Sequence, residues 1–167
     1  MARIRVNPMG GDQEMERAAP TLLVIEDAQD QALLVGHAAR RSHPGLLVHV
    51  AQNGFDGTEY LAGIGEYSDR IVFPIPNLVI LDLFMPEVDG FTVLGWKANR
   101  PELRDVPFVV LTGSPKAEDL QRARFLGADD VYRKPGALDE LSDIVKTIVQ
   151  TYIPRGDMLD AWMSRLG

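Results

Sequence analysis

Four short, mainly apolar segments of this chain each end in a polar side chain of a kind that takes part in metal or phosphoryl chemistry. The polar residues are Glu26 and Asp27 after residues 22–25, Asp82 after 78–81, Thr112 after 108–111, and Lys134 after 131–133. Parallel strands of an open α/β sheet place such residues together at the carboxyl edge, where these sheets bind their ligands. We therefore expect three carboxylates, a hydroxyl and an ammonium group to share one pocket.

Three carboxylates in one pocket repel one another, and a single lysine offsets only one of their charges. A hard divalent cation would neutralise the remainder, and oxygen ligands without His or Cys favour Mg²⁺, or Mn²⁺, over Zn²⁺. In such a pocket the Asp82 carboxylate can attack phosphorus and form an acyl phosphate. The cation, Lys134 and the Thr112 hydroxyl would then bind the phosphoryl oxygens, where negative charge accumulates.

Short apolar runs alternate with longer segments of helical period, which predicts a doubly wound α/β domain with helices on both faces of a five-stranded parallel sheet. The predicted strands are residues 21–26, 46–51, 77–82, 106–112 and 130–133, of which the second has the weakest pattern. The predicted helices are residues 28–41, 54–64, 90–99, 114–127 and 138–152. The fourth helix is expected to begin with Ser114 as its N-cap and Pro115 in its first turn, and to end at Gly127.

The rest of the chain lies outside this pattern. Residues 1–19 carry glycine, proline and scattered charges with no period, and are expected to form a flexible arm before a domain at residues 20–153. Residues 65–77 form a long connection with two prolines, an insertion whose use the sequence leaves open. Residues 154–167 form a short amphipathic tail that would pack on its own domain or dock a partner. Its apolar stripe consists of Met158, Leu159, Trp162, Met163 and Leu166.

The composition excludes several classes of protein. The net charge of −7 argues against non-specific nucleic-acid binding, which needs an excess of Lys and Arg. No apolar stretch approaches the roughly 18 residues of a membrane-spanning helix, and without cysteine there is no disulfide framework or thiolate metal site. His37, His43 and His49 do not resemble a phosphorylated histidine and are interpreted as ordinary polar positions. These features favour a cytoplasmic protein with protein or metal partners.

The four segments together resemble the receiver domain of two-component response regulators. The resemblance covers about residues 21–152, and the matching segments are 25–27, 81–90, 110–114 and 134–135. It implies the flavodoxin-like receiver fold, a phosphoryl group accepted from a histidine kinase or a phosphotransfer protein, and signalling through altered protein contacts rather than enzymatic turnover. Only slow autodephosphorylation is expected of such a phosphoacceptor.

The resemblance also implies a role for each residue of the pocket. Asp82 would accept the phosphoryl group, and the metal would be held by Asp82 together with Glu26, Asp27 and the backbone carbonyl of Phe84. Thr112 and Lys134 would bind the phosphoryl oxygens. Gly113 and Ser114 would flank the pocket, and the small Gly113 would keep it open.

One position departs from the family pattern. Receivers commonly carry Tyr or Phe three residues before the lysine, as a ring that changes rotamer when the threonine moves toward phosphate, but this chain has Val131 there. Tyr132 comes one residue later, and successive strand residues face opposite sides of a sheet. Tyr132 is therefore not expected to replace the ring, which calls the usual threonine–aromatic switch into question.

Two further segments resemble the single-domain regulators associated with phytochrome-type histidine kinases. They are the insertion at 65–77 and residues 97–107, and a short tail accompanies them. The similarity implies a bacteriophytochrome-type kinase as phosphodonor and a homodimer formed through the fourth helix, fifth strand and fifth helix. A helix-turn-helix module does not fit in the fifteen residues after Tyr152, so no DNA-binding domain is expected.

Two other functions remain open. The first is a receiver-fold binding module that works through constitutive contacts with little or no phosphorylation, which Val131 favours. The second is a metal-dependent phosphohydrolase, which would need a second acid two residues after Asp82, where the chain has Phe84. A dinucleotide site is disfavoured because no G-x-G-x-x-G motif follows the first strand.

Overall fold

A five-stranded parallel sheet lies at the centre of the computed structural model, which describes residues 19–154. Its strands are β1 (Thr21–Ile25), β2 (Leu47–Ala51), β3 (Leu78–Leu81), β4 (Phe108–Thr112) and β5 (Asp130–Arg133). They lie in the order β2-β1-β3-β4-β5, and each neighbouring pair is parallel. The doubly wound parallel sheet predicted from the sequence is confirmed.

Helices cover both faces of the sheet. They are α1 (Gln29–Ser42), α2 (Gly54–Ala62), α3 (Gly90–Ala98), α4 (Ala117–Phe125) and α5 (Leu138–Tyr152). Alternate residues of β1 enter two separate apolar clusters: Leu22 and Val24 pack with residues of α1 and α5, and Leu23 and Ile25 pack with residues of α2, α3 and α4. This alternation follows from the two-residue period of a strand, and it places the sheet between two helical layers.

The weak apolar pattern of the second strand reflects its place at the edge of the sheet. Only Ala51 of the five β2 residues is buried, whereas every residue of β1, β3 and β4 is buried. An edge strand has a neighbour on one side only, so its sequence need not be continuously apolar.

The start of α4 differs from the prediction. The helix begins at Ala117, with Lys116 as its N-cap and no side-chain capping bond, and Ser114 is not the N-cap. Instead, the Ser114 hydroxyl accepts a hydrogen bond from the Lys116 backbone N–H at 3.2 Å, which closes a turn before the helix. The predicted stop at Gly127 is confirmed. The helix ends at Phe125, and Gly127 follows with a φ of 102° in a Schellman motif, in which the N–H groups of Gly127 and Ala128 donate to carbonyls of the last turn.

The 65–77 insertion packs along α2 on the β2 side of the domain. Tyr67 and Phe73 of the insertion form an aromatic cluster with Tyr60 of α2 and His49 of β2, with ring centroids 5.1 to 5.9 Å apart. His49 is therefore part of an aromatic cluster rather than an ordinary polar position. This packing is the structural use of the insertion, which the sequence left open.

Hydrogen bonds join the insertion to both ends of α2. The Arg70 guanidinium donates to the backbone carbonyls of Tyr60 and Leu61 in the last turn of the helix, at 2.8 and 2.7 Å. The Tyr67 hydroxyl donates to Asp56 in the first turn, at 2.6 Å. Arg70 thus binds carbonyls in the last turn of α2, where the helix itself supplies few N–H donors.

Two predicted segments lie outside the described residues. They are the arm at residues 1–19, of which the structure describes only residue 19, and the apolar stripe of the tail. The domain limits at residues 20 and 153 therefore stay predictions. Between residues 19 and 154, no helix combines the length and apolar character needed to cross a membrane.

Candidate functional site

The polar residues at the ends of β1, β3 and β5 line one cleft at the carboxyl edge of the sheet, whereas Thr112, at the end of β4, is fully buried and is not part of its lining. The ends of β1 and β3 are level because Ile25 pairs with Leu81, and those of β4 and β5 are level because Thr112 pairs with Arg133. Since Leu81 pairs with Val110, β4 and β5 extend two residues further than β1 and β3. The cleft has a volume of about 500 Å³. The predicted site residues in its lining are Glu26, Asp27, Asp82, Phe84, Gly113, Ser114 and Lys134.

Two of the three carboxylates are buried. Glu26 and Asp82 are 4% and 8% exposed, whereas Asp27 is exposed, and one oxygen from each lies within 4.8 Å of the others. Backbone N–H groups orient the buried pair: Ala28 donates to Glu26 at 3.1 Å, and Leu83 donates to Asp82 at 2.8 Å. The three oxygens are close enough for a single metal ion to bind all of them.

The Lys134 ammonium lies between the buried carboxylates and α1. Its Nζ is 2.6 Å from Glu26 Oε2, 2.5 Å from Gln31 Oε1 and 3.5 Å from Asp82 Oδ2. The Lys134 backbone N–H donates to the Thr112 carbonyl at 2.7 Å. This bond joins the end of β5 to the end of β4 and places the lysine at the cleft.

Burial dominates the electrostatics of the two inner carboxylates. It raises the pKa of both Glu26 and Asp82, although the Lys134 ammonium and backbone N–H groups act in the opposite direction. Repulsion from Asp82 raises the pKa of Glu26 further. One ammonium group therefore does not neutralise the two buried carboxylates. Because their potential metal ligands are all oxygen atoms, these residues fit a hard divalent cation such as Mg²⁺.

A chain of hydrogen bonds leads from Thr112 to α4. The fully buried Thr112 hydroxyl accepts a bond from the Ser114 backbone N–H at 3.2 Å. The Ser114 hydroxyl donates to Asp119, in the first turn of α4, at 2.5 Å. A change in the Thr112 rotamer would therefore reach α4 through a single intervening residue.

Gln31 and Asp119 line the cleft but were not predicted from the sequence. They lie in the first turns of α1 and α4, which begin at the carboxyl edge of the sheet. A polar residue in the first turn of a helix that follows a site strand is the signal that would have identified them.

β5 places Val131 and Tyr132 on opposite faces of the sheet. Val131 is buried in the apolar cluster that contains Ala123 of α4, whereas Tyr132 packs against the cluster of α1 and α5. The alternation expected for a strand is observed, and Tyr132 does not supply a ring on the side of α4.

A close contact between α3 and the end of β3 supports Asp82. A Cβ atom on Gly90 would lie 2.3 Å from the Asp82 carbonyl oxygen and 2.8 Å from the Leu83 Cα. The Gly90 N–H donates to the Leu83 carbonyl at 2.9 Å. Gly90 thus permits an approach between helix and strand that any side chain would prevent.

Comparison with known proteins relates this fold and cleft to one family. The sequence model of the response regulator receiver domain matches residues 22–146. The chain is 30% identical over 127 residues to response regulator Rcp1 of Synechocystis sp., a match that covers 76% of this chain and 84% of Rcp1. The matched residues 22–146 include every predicted site residue.

Two solved structures resemble the domain over nearly their whole lengths. The phosphorylated cyanobacterial phytochrome response regulator RcpA gives a TM-score of 0.76 at 28% identity, covering 82% of this chain and 96% of RcpA. The Mn²⁺-bound form of response regulator Rcp1 gives a TM-score of 0.73 at 28% identity, covering 81% of this chain and 95% of Rcp1.

Proposed function

The chain belongs to the family of response regulator receiver domains, and on this premise we propose that it is a stand-alone response regulator with Asp82 as its phosphoacceptor. Receiver domains accept a phosphoryl group in two-component signalling and are not classical enzymes. The observation that carries the assignment is the position of Asp82. It is a buried carboxylate at the end of the central strand, close to the carboxylates of Glu26 and Asp27 and to the Lys134 ammonium.

Phosphoryl transfer would begin with attack of an Asp82 carboxylate oxygen on the phosphorus of a phosphohistidine. The new O–P bond forms as the P–N bond breaks, and the electron pair of that bond stays on the donor imidazole. Lys134, whose Nζ is 3.5 Å from Asp82 Oδ2, would offset charge on the phosphoryl oxygens. The Thr112 hydroxyl would turn from its contact with the Ser114 N–H and donate to the same group.

Glu26, Asp27, Asp82 and the Phe84 backbone carbonyl would hold Mg²⁺, or Mn²⁺. Receiver domains bind divalent metals, and the Rcp1 structure is a Mn²⁺-bound form. When bound, the ion supplies positive charge that stabilises the phosphoryl oxygens during transfer. The raised pKa values of Glu26 and Asp82 support this site, because a cation relieves the burial of two negative charges near one lysine.

The phosphoryl group would signal through the hydrogen-bonded chain from Thr112 to α4. Rotation of Thr112 removes the acceptor of the Ser114 N–H, and the Ser114 side chain is bonded to Asp119. Phosphorylation would thereby shift the population between two positions of α4. This route needs no aromatic ring at Val131, and Gly113, beside Thr112, keeps the entrance to the cleft open.

The phosphodonor would be a histidine kinase or a phosphotransfer protein. Similarity to RcpA, a phytochrome response regulator, favours a kinase of the bacteriophytochrome type. Two copies of the chain would pair through the face of α4, β5 and α5, and on α4 the Phe125 side chain is 90% exposed. The protein would act in the cytoplasm, bind neither nucleic acid nor membrane, and hydrolyse its own acyl phosphate only slowly.

Intact-mass measurement tests the assignment of Asp82. Wild type and Asp82→Asn would be incubated with Mg²⁺ and acetyl phosphate, with EDTA as a control. We expect one added phosphoryl group on the wild type in the presence of Mg²⁺ and none on the variant. Equal labelling of a folded Asp82→Asn protein would show that another residue is the acceptor.

A receiver-fold binding module with constitutive contacts is the second candidate, and the buried Val131 favours it. Under this function a folded, Mg²⁺-binding wild type would gain no phosphoryl group. Its affinity for a partner would also be the same in the Asp82→Asn variant. A phosphohydrolase is disfavoured because Phe84 stands where that chemistry needs a second acid.

A further inference from the structure

Gln31, in the first turn of α1, binds the pocket lysine and has no role in the function proposed above. Its Oε1 accepts a hydrogen bond from Lys134 Nζ at 2.5 Å. A second bond from the same ammonium goes to Glu26 Oε2 at 2.6 Å. Gln31 is partly buried and lines the cleft, so its amide faces the site rather than bulk solvent.

These two bonds determine where the ammonium lies relative to the nucleophile. Nζ is 3.5 Å from Asp82 Oδ2, which is longer than the roughly 2.7–2.9 Å of a direct charged hydrogen bond. The other oxygen, Oδ1, accepts the Leu83 N–H at 2.8 Å. Among residues 19–154, Oδ2 therefore has a longer ion-pair contact with Lys134 and no short hydrogen bond.

We propose that Gln31 is a positioning residue, which holds the Lys134 ammonium back from Asp82 and so keeps Oδ2 available to a metal ion and to the phosphodonor. This inference rests on the proposed function of the cleft. An ammonium group has three N–H donors, and Glu26 and Gln31 take two of them. Without Gln31, only Glu26 would restrain the ammonium, and Nζ could move the short distance from 3.5 Å to a direct bond with Asp82 Oδ2. That bond would compete with the metal ion and cover the attacking oxygen.

The neutral amide suits this task better than a carboxylate. An acid at Gln31 would bring a fourth negative charge to a cleft that already holds Glu26, Asp27 and Asp82. A hydrogen bond from an ammonium to an amide oxygen is also weaker than one to a carboxylate. The lysine can therefore leave Gln31 when phosphoryl oxygens arrive.

Mg²⁺ binding to the unphosphorylated protein, followed by NMR titration, tests the proposal. Gln31→Met keeps the length of the side chain and removes the acceptor. We expect it to raise the Mg²⁺ dissociation constant about two- to tenfold, the range of one hydrogen bond, and to slow labelling by acetyl phosphate by a similar factor. Gln29→Met, in the same turn of α1 with an exposed side chain, is the matched control and should change neither quantity.

A double-mutant cycle separates positioning from packing. In a Lys134→Ala background the effect of Gln31→Met on the Mg²⁺ dissociation constant should disappear, because no ammonium remains to be held back. An effect of equal size in both backgrounds, or an unchanged dissociation constant in the single variant, would overturn the proposal. The Mg²⁺ titration needs no phosphoryl transfer, so a wild type that cannot be labelled would count against the proposed function and leave this test intact.

Discussion

At the carboxyl edge of the sheet the buried Glu26 and Asp82 share the charge of one ammonium group. Along α2, in contrast, the buried Tyr60 and the half-buried Arg70 meet well-matched partners. The Tyr60 hydroxyl donates to the Pro74 carbonyl at 3.1 Å, and the Arg70 guanidinium donates to three backbone carbonyls. The first region has unfavourable electrostatics that a ligand can relieve, whereas the second is complete without one.

The same direction of pKa shift has opposite consequences in these two regions. Burial raises the pKa of Tyr60 to about 12, which leaves the hydroxyl neutral at pH 7 and requires no buried charge. Burial also raises the pKa of Asp82, but this group must ionise to attack phosphorus. The cleft therefore destabilises the domain in its reactive form, and the insertion supplies stability elsewhere.

Asp82→Asn should have the largest effect, because it removes both the nucleophile and a buried negative charge. Labelling should fall to background. The free energy of unfolding measured without metal should rise, because burial raises the pKa of Asp82 and so disfavours its charged form in the folded protein. An acid whose pKa is raised in the folded state lowers the free energy of unfolding once the pH exceeds the pKa of the same acid in the unfolded chain. Below that pH the acid is protonated in both states and has no such effect.

Urea unfolding with and without Mg²⁺ measures this prediction. Mg²⁺ should stabilise the wild type more than Asp82→Asn, because the variant has lost one carboxylate of the proposed metal site. A variant that is less stable than the wild type without metal would contradict the unfavourable electrostatics assigned to the cleft.

Gly90→Ala should destabilise the domain by about 3 kcal/mol, because its Cβ would overlap the Asp82 carbonyl. The displacement should also slow labelling at Asp82. Gly95→Ala is the matched control in the same helix, since no atom lies within 4 Å of a Cβ there. It should stabilise the domain by about 0.5–1 kcal/mol. Thermal unfolding of both variants, together with the labelling rate, checks this pair, and equal stabilities would refute the close contact.

Arg70→Met should lower the free energy of unfolding by about 2 kcal/mol, because it leaves carbonyls at the end of α2 without their charged donor. Labelling should be unchanged, since the insertion does not enter the cleft. Chemical denaturation and intact mass measure the two quantities. Arg104→Met, at an exposed position, is the control and should stay within about 0.5 kcal/mol of the wild type. Lost labelling in a folded Arg70→Met protein would mean that the two regions are coupled.

The smallest expected effect is the contribution of His49 to the pH dependence of stability: its imidazole should lower the free energy of unfolding as the solution is acidified. Burial lowers its pKa from 6.5, so the unfolded chain binds a proton that the folded chain resists, and stability is lost as the pH falls below that value. The slope cannot exceed about 1.4 kcal/mol per pH unit for one proton. The buried carboxyl groups act with the opposite sign, so the informative quantity is the difference from His49→Phe, which keeps a ring in the cluster.

Melting temperatures at about pH 7.5 and about pH 5.5 measure this difference, since the two values lie on either side of the usual histidine pKa. The wild type should lose more stability between them than His49→Phe does. Equal losses in the two proteins would show that His49 is not held neutral by the cluster.

Much of the cleft could be predicted because its residues follow apolar strands. A run such as residues 78–81 is buried in a parallel sheet, and its end must lie at the carboxyl edge, so the position of Asp82 follows from local sequence. The same reasoning places Glu26, Thr112 and Lys134. The opposite facing of Val131 and Tyr132 follows from the period of a strand.

Other features depend on contacts that local sequence does not report. The first turns of α1 and α4 follow site strands, so the sequence could have placed Gln31 and Asp119 near the cleft, but it does not determine that they bond to Lys134 and Ser114. Ser114 has the residue type of an N-cap, yet its hydroxyl is used in a preceding turn and in a bond to Asp119. The role of the insertion depends on aromatic residues of β2, α2 and the insertion itself, whose side chains meet only in the folded domain.

Locating the phosphoryl group tests the central claim most directly. Wild type labelled with acetyl phosphate and Mg²⁺ would be reduced with borohydride, which converts an aspartyl phosphate to homoserine, and then digested and sequenced by mass spectrometry. We expect homoserine at position 82, in the tryptic peptide of residues 71–97, and none after treatment with EDTA. Conversion at another acidic residue, or no conversion in folded protein that binds Mg²⁺, would contradict the assignment of Asp82 as the phosphoacceptor.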